Sequence, residues 1–464
     1  MTPTQERAIK RKIDLAILPY CALLYLLSAS DPTRSLLYVN IGQARLANLE
    51  KDLHLKGNQY DIALTVFFVS YILVEVPSNL ALRWFKPHRW IFFLMVSWSV
   101  VMTLMGIVNN FGGLVAARFM LGLAEGGLFP GVNFLLTTWY NRNEQNLVIS
   151  LFYAGTTLAG AFGGLLAFGI RHMAHVGWQG RFILEGLLTF LCAIPAWWLV
   201  PDFPEDHRVL KGIDRERWLH RLAKNQGVTN VPLPFSWRQV RRAFTDWRTY
   251  IYALLYLSLS QLFYSLAFFT PTIIKELGFT NANANLLSAP PYVLRVHHLD
   301  IGVFIIGGLL MVITGYVILI TNASIAVKYF AIFLCVGGIS PCGATATTFI
   351  GNNYGPVYTR AVAMGFYFAV GACGGIISSN VYPSSAAPRF FAGHGIAIAF
   401  AFLGILCVLT LMVANGHENA RRDRVYGVVA PIDSGTKGDL GSRELSELQI
   451  MELGDRHPGF RYVL

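Results

Sequence analysis

Residues 113–131 read GLVAARFMLGLAEGGLFPG, and this stretch decides the class of protein. It lies in an apolar block from Gly113 to Tyr140, which is long enough to cross a hydrocarbon core about 30 Å thick. The block nevertheless contains Arg118 and Glu125, and a charged side chain inside a bilayer costs about 2.5–3.5 kcal/mol. The two residues are seven apart, so on a helix they share one face, about 10 Å apart along the axis. This pattern predicts a membrane helix that faces a polar interior.

The composition supports the same class. Of 464 residues, 54% are hydrophobic and 14% are charged, whereas about 25% are charged in a typical soluble domain. This composition excludes a disordered chain and argues against a soluble enzyme. The net charge of +11 would suggest a nucleic-acid partner on a soluble protein. Here the basic residues stand mostly beside apolar blocks, so the positive-inside rule explains them, and we expect a lipid bilayer and no nucleic acid as partner.

Eleven apolar blocks are candidates for spanning helices. They are residues 15–29, 62–82, 90–108, 113–140, 147–170, 182–200, 250–274, 301–320, 325–350, 361–381 and 395–413. A twelfth block, 286–296, is broken by Pro290 and Pro291 and is too short to cross. An odd number of crossings would leave the basic C-terminal tail outside, so an even count fits the charges better. The glycosylation triplet 322–324 would lie outside only with twelve spans.

The order of the blocks predicts five regions. They are a cytoplasmic N-terminus (1–13), an N-terminal six-helix bundle (14–200), a cytoplasmic linker (201–248), a C-terminal helix bundle with an incomplete span eight (249–414) and a cytoplasmic tail (415–464). Six spans, a long loop and about six more spans are typical of a transporter built from two repeats. The predicted fold class is therefore an all-α polytopic membrane protein.

Arg118 and Glu125 are the first candidate site residues. In a functional interpretation, Arg118 anchors an anion near the outer mouth and Glu125 is a protonatable carboxyl near the middle of the membrane. In the alternative interpretation, Arg118 snorkels and Glu125 forms a hydrogen bond to a neighbouring helix. Gly122 and Gly126 beside them form a G-x-x-x-G face, for which packing is the better interpretation.

Four further polar residues extend the candidate site. Tyr71 and Glu75 are four apart on span two, so they share a face that could line the same cavity or form an interhelical hydrogen bond. Asp31 ends the first span, either as a membrane carboxylate or as the first residue of an outer loop. Asn380 closes span eleven, where it could donate a hydrogen bond to a ligand or only terminate the helix.

Signatures of enzymes and metal sites are absent from the sequence. It has no H-E-x-x-H, G-x-S-x-G, P-loop or dinucleotide-binding motif, so we expect neither an enzyme nor transport powered directly by ATP. The six cysteines lie in apolar stretches and form no C-x-x-C pair. We therefore expect no metal site and no cofactor.

Several runs of residues resemble a known family. They are Asn58–Tyr60, Ala63–Thr65, Phe67–Phe68, Glu75–Asn79, Ala117–Phe119, Gly122, Glu125, Gly127–Gly131, Phe182–Gly186, Pro201–Glu205, Asn285–Leu287, Pro290–Tyr292, Gly374–Gly375 and Ser379–Tyr382. Together they resemble the fungal allantoate permease branch of the anion:cation symporters, in the major facilitator superfamily. The resemblance implies two six-helix bundles that rock to give alternating access. It also implies proton-coupled uptake of a small organic anion such as nicotinate, allantoate, pantothenate or a biotin-like vitamin.

The same resemblance implies roles for individual residues. It implies that Arg118 binds the substrate carboxylate, that Glu125 carries the proton and that Tyr71 contacts the substrate. With the polar residues described above, the predicted substrate-binding set is Arg118, Tyr71 and Asn380, and the predicted proton-coupling set is Glu125 and Asp31. We expect a multi-pass monomer in the plasma membrane rather than the vacuole, with an organic anion and protons as its ligands.

The chain departs from the family pattern at two places. Residues 32–39 separate Asp31 from Asn40–Gly42, where the family continues directly with an arginine. Residues 294–301 join two segments between which the family has the rest of span eight and a basic loop. Either departure could abolish transport, so the alternative function is a transport-inactive or receptor-like relative that binds an organic anion without moving it.

Overall fold

The computed structural model describes residues 3–30, 49–56, 59–153, 178–206, 209–226, 235–276, 301–381, 390–426, 455 and 460–464. Within these ranges the chain forms helices joined by short loops, and none of these residues is in a β-strand. Asp31, the segment 32–39 and residues 294–300 of the short junction lie outside the described residues.

The helices are numbered in chain order. They are α1 (Pro3–Ser30), α2 (Leu49–Asp52), α3 (Gln59–Phe85), α4 (Pro87–Met105), α5 (Phe111–Glu125), α6 (Leu128–Trp139), α7 (Trp178–Ala193), α8 (Ala196–Leu199), α9 (Gly212–Gln226), α10 (Trp237–Thr245), α11 (Trp247–Glu276), α12 (Ile301–Ile320), α13 (Ile325–Asn353), α14 (Val357–Val381) and α15 (Phe391–Tyr426). Residues 142–153 are helical as well. Within the described ranges, 8 helical stretches are long and apolar enough to cross a membrane. The prediction of an all-α polytopic membrane protein is confirmed.

Span four is interrupted. The sequence predicts one span over 113–140, but α5 ends at Glu125 and α6 begins at Leu128. Pro130 explains part of the break, because it has no N–H for a bond to the Gly126 carbonyl and its ring crowds that carbonyl. Close packing against α3 explains the rest, since a Cβ on Gly126 would lie only 2.6 Å from Cγ1 of Val74.

Helices α3, α4, α5 and α7 pack together in the first half of the chain. Small residues set the closest approaches between them. A Cβ on Gly186 of α7 would lie 2.8 Å from the backbone nitrogen of Thr103 in α4. Trp98 of α4 is almost fully buried in this core. Bare backbone at such contacts is the usual way in which membrane helices approach each other without a hydrophobic driving force.

Helices α11 and α14 run side by side in the second half. Near their starts the rings of Tyr250 and Phe366 are 5.5 Å apart, and further along Ser265 donates to Ser378 at 3.3 Å. The contacts advance together along both helices, so the two helices are parallel. Helices α12 and α13 form a second tight pair, while α15 packs against α11 and α12.

One end of the bundle gathers α1, α9 and the turn after α6, and we call it the linker end. Lys10 Nζ lies 2.6 Å from Glu144 Oε1, and Arg221 Nη1 lies 2.9 Å from Glu144 Oε2. Trp218 Nε1 donates to the Trp139 carbonyl at 3.2 Å. Helix α9, within the predicted linker, is thus packed against the first half of the chain.

Helix α15 is much longer than a span requires. The sequence predicts a span over 395–413, but the helix has 36 residues, which at 1.5 Å each is about 54 Å. A bilayer core takes up about 30 Å of that length. The remainder extends at the linker end, where Arg422 and Asn419 meet the segment Phe460–Leu464.

Candidate functional site

A pocket lies between the two halves of the chain, at the junction of α3, α11 and α14. Its lining residues are Phe67, Phe68, Tyr71 and Glu75 from α3, Tyr256, Ser260 and Tyr264 from α11, and Phe368 and Ala372 from α14. The empty volume, counting the open space that joins it, is about 360 Å³. Small ligands are usually held in concave, mostly apolar pockets of this kind that contain a few polar groups.

Helix α3 presents Tyr71 and Glu75 to the pocket one turn apart. Both residues are buried, with 3% and 1% of their surface exposed. Their spacing of four places them on one face, as the sequence predicts. Both residues line the pocket.

Helix α14 comes very close to α3 beside Glu75. A Cβ on Gly365 would lie 3.1 Å from Cα of Val76 and 3.3 Å from the Glu75 carbonyl oxygen. Asn79 Nδ2 donates to the Ala361 carbonyl at 3.0 Å. This hydrogen bond joins the two halves one helical turn beyond Glu75 on α3. The pocket carboxyl therefore sits where the halves meet.

The second half supplies a stripe of polar and aromatic residues that our sequence analysis missed. Tyr256, Ser260 and Tyr264 follow one another at intervals of four along α11, so they lie on one face. Two tyrosines and a serine with this spacing on one face of the helix are a detectable signal. It is weaker than a charge, because hydroxyl groups are tolerated in membrane helices by bonding to their own backbone.

Aromatic rings form most of the pocket wall. The ring of Phe368 stands perpendicular to Tyr256 with centroids 5.1 Å apart, and it meets Phe129 of α6 at 4.9 Å. Tyr256 also stacks on Tyr367 at 4.2 Å. Edge-to-face and offset pairs of this kind favour one arrangement of the rings, so the wall has a defined shape.

Arg118 and Glu125 lie on α5, directly behind the lining helix. Both are buried, with 1% and 0% of their surface exposed. Gly122 stands between them, and a Cβ there would overlap Ser70 Oγ and the Phe67 carbonyl oxygen of α3. The two charged residues are therefore inside the bundle rather than facing lipid, and they adjoin α3, but they are not among the residues that line the pocket.

Asn380 and Asp31 are not placed with the others. Asn380 is the penultimate residue of α14, eight positions beyond Ala372, or about 12 Å further along the axis. Its side chain and the whole of Asp31 lie outside the described residues. Among the candidate site residues, the structure thus brings Tyr71 into the pocket and places Arg118 and Glu125 behind it.

The arrangement is suited to holding a small polar solute and then letting it pass. A carboxyl group, three tyrosine hydroxyls and a serine hydroxyl converge within an aromatic enclosure between two helical units. Within the described residues, no group of three or more His, Cys, Asp and Glu side chains could hold a metal ion. A membrane-embedded helical protein with such a pocket between its halves belongs to the class of solute transporters.

The chain belongs to the major facilitator superfamily, whose family model matches residues 35–411. It is 33% identical over 450 residues to the MFS-type transporter efuF of Hormonema carpetanum, covering 92% of this chain and 88% of that protein. It is 31% identical over 490 residues to the MFS-type transporter cnsO of Penicillium expansum, covering 99% and 91% of the two chains. The protein is accordingly a multi-pass membrane transporter.

Two solved structures share the fold. The proton:xylose symporter XylE, bound to 6-bromo-6-deoxy-D-glucose, superposes with a TM-score of 0.68 at 13% identity, over 86% of this chain and 95% of that one. The human organic anion transporter MFSD10 superposes with a TM-score of 0.55 at 15% identity, over 88% and 99%. At these identities the likeness concerns the fold alone, and it confirms the predicted major facilitator fold.

Proposed function

We propose that the protein is a proton-coupled transporter that takes up a small organic carboxylate by alternating access. The observation that carries this proposal is the burial of Arg118 and Glu125 on one helix, beside the helix that lines the central pocket. Charges in such a place are costly and are usually retained for a function. Nicotinate, allantoate and pantothenate are the substrates to test first, because the sequence resembles the allantoate permease branch.

Arg118 is proposed to attract the substrate carboxylate. A guanidinium group forms charge-assisted, often bidentate hydrogen bonds with a carboxylate. The attraction is stronger in a pocket that excludes water than at a surface. Arg118 lies behind α3 in this conformation, so the side chain is proposed to reach the pocket as the bundle moves. Tyr71, which already lines the pocket, contacts the substrate.

Glu125 is proposed to carry the coupled proton. In the outward-facing state it takes a proton from outside while Arg118 takes the anion. Both buried charges are then neutralised, which removes a desolvation cost that opposes closure, and the loaded protein can rock to the other side. The lower proton activity inside favours release. Asp31 is proposed to complete the coupling set, and Asn380 is proposed to complete the substrate-binding set.

The two halves are proposed to act as the moving bodies. Residues 14–200 would form one bundle and residues 249–414 the other, joined by the linker 201–248. We propose a monomer in the plasma membrane with both termini in the cytoplasm. The pocket lies between these bodies, so rocking one against the other exposes it alternately to each side.

The decisive experiment uses purified protein in proteoliposomes with an inward pH gradient. We expect the wild type to accumulate one of the three radiolabelled carboxylates, and Glu125→Gln to lose accumulation while it still exchanges substrate across the membrane. Glu185→Gln, which removes a carboxyl from α7 of the same half, is the matched control and should accumulate normally. Arg118→Gln should abolish binding, and Arg118→Lys should weaken it at least tenfold.

Three outcomes would count against the proposal. Undiminished accumulation by Glu125→Gln would remove that residue from the coupling role. Binding that is unchanged in Arg118→Gln would remove the anion anchor. Saturable binding without any flux in the wild type would instead identify a relative that binds an anion without moving it.

A further inference from the structure

The segment Phe460–Leu464 is bound at the linker end by asparagine side chains. The Tyr462 N–H donates to Asn419 Oδ1 at 2.9 Å, and Asn419 Nδ2 donates back to the Tyr462 carbonyl at 2.8 Å. The Val463 N–H donates to Asn353 Oδ1 at 2.8 Å, and Asn353 Nδ2 donates back at 3.2 Å. Each asparagine thus satisfies both backbone groups of one residue, as a neighbouring β-strand would.

The two aromatic side chains of this segment are enclosed by arginines. Phe460 and Tyr462 are buried, and their rings are 5.3 Å apart. The guanidinium of Arg142 lies 4.2 Å from the centre of the Phe460 ring. Those of Arg248 and Arg422 lie 4.4 Å and 4.9 Å from the centre of the Tyr462 ring. Cations over aromatic faces are attracted by the ring quadrupole, more strongly when water is excluded.

Buried ionic contacts hold Asp455, five residues before the segment. Arg242 Nη2 lies 2.7 Å from Asp455 Oδ1, and Asp455 is almost completely buried. Arg422 Nη1 donates to the carbonyls of Asp455 and Phe460 at 2.9 Å and 2.7 Å. Buried charges are retained only when they are well paired. This set of contacts is therefore a built docking site rather than a loose surface association.

Arg142 links this docked segment to the first half of the chain. It is the first residue of the helical stretch 142–153, and its Nη1 donates to the Arg461 carbonyl at 3.1 Å. Its own carbonyl accepts a hydrogen bond from Asn352 of α13 at 3.3 Å. One residue of the first half is thus held by both the segment and the second half. Nearby, Arg360 of α14 donates to the Thr137 carbonyl of α6 at 3.2 Å.

We propose that Phe460–Leu464 is a latch that holds the linker end of the transporter closed. The segment stays bound to the second half through Asn353 and Asn419. Its contact with Arg142 breaks each time the halves separate at that end. Alternating access requires such separation in every cycle. Weakening the latch therefore shifts the population toward the conformation open at the linker end, whatever the substrate is.

The test measures opening directly, by amide hydrogen exchange of the purified full-length protein in detergent. Arg142→Ala removes the link while leaving the segment docked, and Tyr462→Ala loosens the segment itself. Each should speed exchange in residues 137–146 and 345–360 about tenfold, the effect of losing one charge-assisted contact. The double variant should be no faster than the faster single variant, because both act on one contact. Arg142→Lys should restore slow exchange in part.

A matched control separates opening from general destabilisation. Arg421→Ala removes a largely exposed arginine of α15, the helix that also carries Asn419 and Arg422. The ion pair of Arg421 with Glu418 spans 3.5 Å. It should leave exchange in both segments unchanged. If Tyr462→Ala releases the segment but leaves exchange at 137–146 as slow as in the wild type, the segment is only an anchor for α15 and the latch is refuted. Fully additive effects of the two substitutions would refute it as well.

Discussion

Gly122 has only a hydrogen atom as its side chain, and this allows α5 to lie against α3. A Cβ there would overlap Ser70 Oγ and the Phe67 carbonyl oxygen, and it would come within 3.0 Å of the Tyr71 nitrogen. Gly122→Ala should therefore destabilise the fold by about 1–3 kcal/mol, because the helices must separate. Thermal unfolding in detergent measures this loss.

Gly307 provides the control for that substitution. A Cβ at Gly307 meets nothing within 4 Å, so Gly307→Ala should change stability by less than about 0.5 kcal/mol or raise it slightly through helix propensity. Equal effects of the two substitutions would mean that contact between α5 and α3 does not limit the fold. They would also weaken the case for placing Arg118 beside the pocket-lining helix.

Glu144 is a residue whose ionisation should be visible in the stability of the protein. Burial alone would raise its pKa, but hydrogen bonds and charges from Arg221 and Lys10 outweigh burial and lower the pKa below its ordinary value of 4.5. A lowered pKa in the folded state contributes stability above pH 4.5, and this contribution is lost as the pH falls through the folded value. Glu144→Gln should therefore cost about 1–2 kcal/mol at pH 7.

Melting temperatures measured at acidic pH provide the check on this prediction. The wild type and Glu144→Gln should converge in melting temperature as the pH falls below 4.5, because the wild-type carboxylate is then protonated. The pKa of Asp14 is raised mainly by burial, and the nearby charge of Glu144 raises it further. Asp214→Asn, which removes an exposed ion pair with Lys12 at 3.4 Å, should have little effect at any pH. A constant difference between Glu144→Gln and wild type across the pH range would contradict the assignment.

At the scale of elements, a buried tryptophan of α9 packs the linker against the bundle. Trp218 has 0% of its surface exposed, and it donates to the Trp139 carbonyl at 3.2 Å. Replacing a buried tryptophan by alanine costs about 3–5 kcal/mol. Trp218→Ala should consequently undock α9 and remove the hydrogen-exchange protection of residues 212–226. Trp237→Ala in α10, at a side chain 69% exposed, should leave that protection intact.

The positions of the apolar helices could be predicted from the sequence, but the length of α15 could not. Hydropathy reports where apolar residues begin and end, so it predicts a span over 395–413 while the helix continues to Tyr426. The extension is polar, and Asn419 and Arg422 within it are held by contacts with residues that are remote in sequence.

The candidate site was predictable to a similar degree. Arg118, Glu125 and Tyr71 stood out because a polar group in an apolar helix is a strong local signal. The α11 side of the pocket was missed, since the spacing of Tyr256, Ser260 and Tyr264 is a weaker signal than a charge in an apolar helix. The docked segment at 460–464 was likewise interpreted only as part of a polar tail, although its run FRYVL is aromatic and apolar.

At the scale of the whole molecule, contacts at the helix ends show which helices begin at the linker end. Helix α11 begins at the linker end, where Arg248 Nη1 donates to the Tyr462 hydroxyl at 3.3 Å. It then runs for 30 residues, or about 45 Å, away from that end. Helix α12 also begins at the linker end, because the Gly302 N–H donates to the Leu464 oxygen at 3.3 Å. The chain therefore returns to the linker end between α11 and α12.

This arrangement of helix ends makes a topological prediction. The distribution of basic residues in the sequence favours the same topology. Both α1, through Lys10, and the segment Phe460–Leu464 meet residues 142–144, so these described parts of the chain lie at the same end of the bundle. Asn322, in the exposed turn between α12 and α13, must then lie on the opposite side from the exposed Arg217 of α9. In intact cells, a membrane-impermeant maleimide should label Asn322→Cys and should reach Arg217→Cys only after permeabilisation. Labelling of both from the same side would mean that the chain does not cross the membrane between Glu276 and Ile301, and the two-bundle architecture would fail with it.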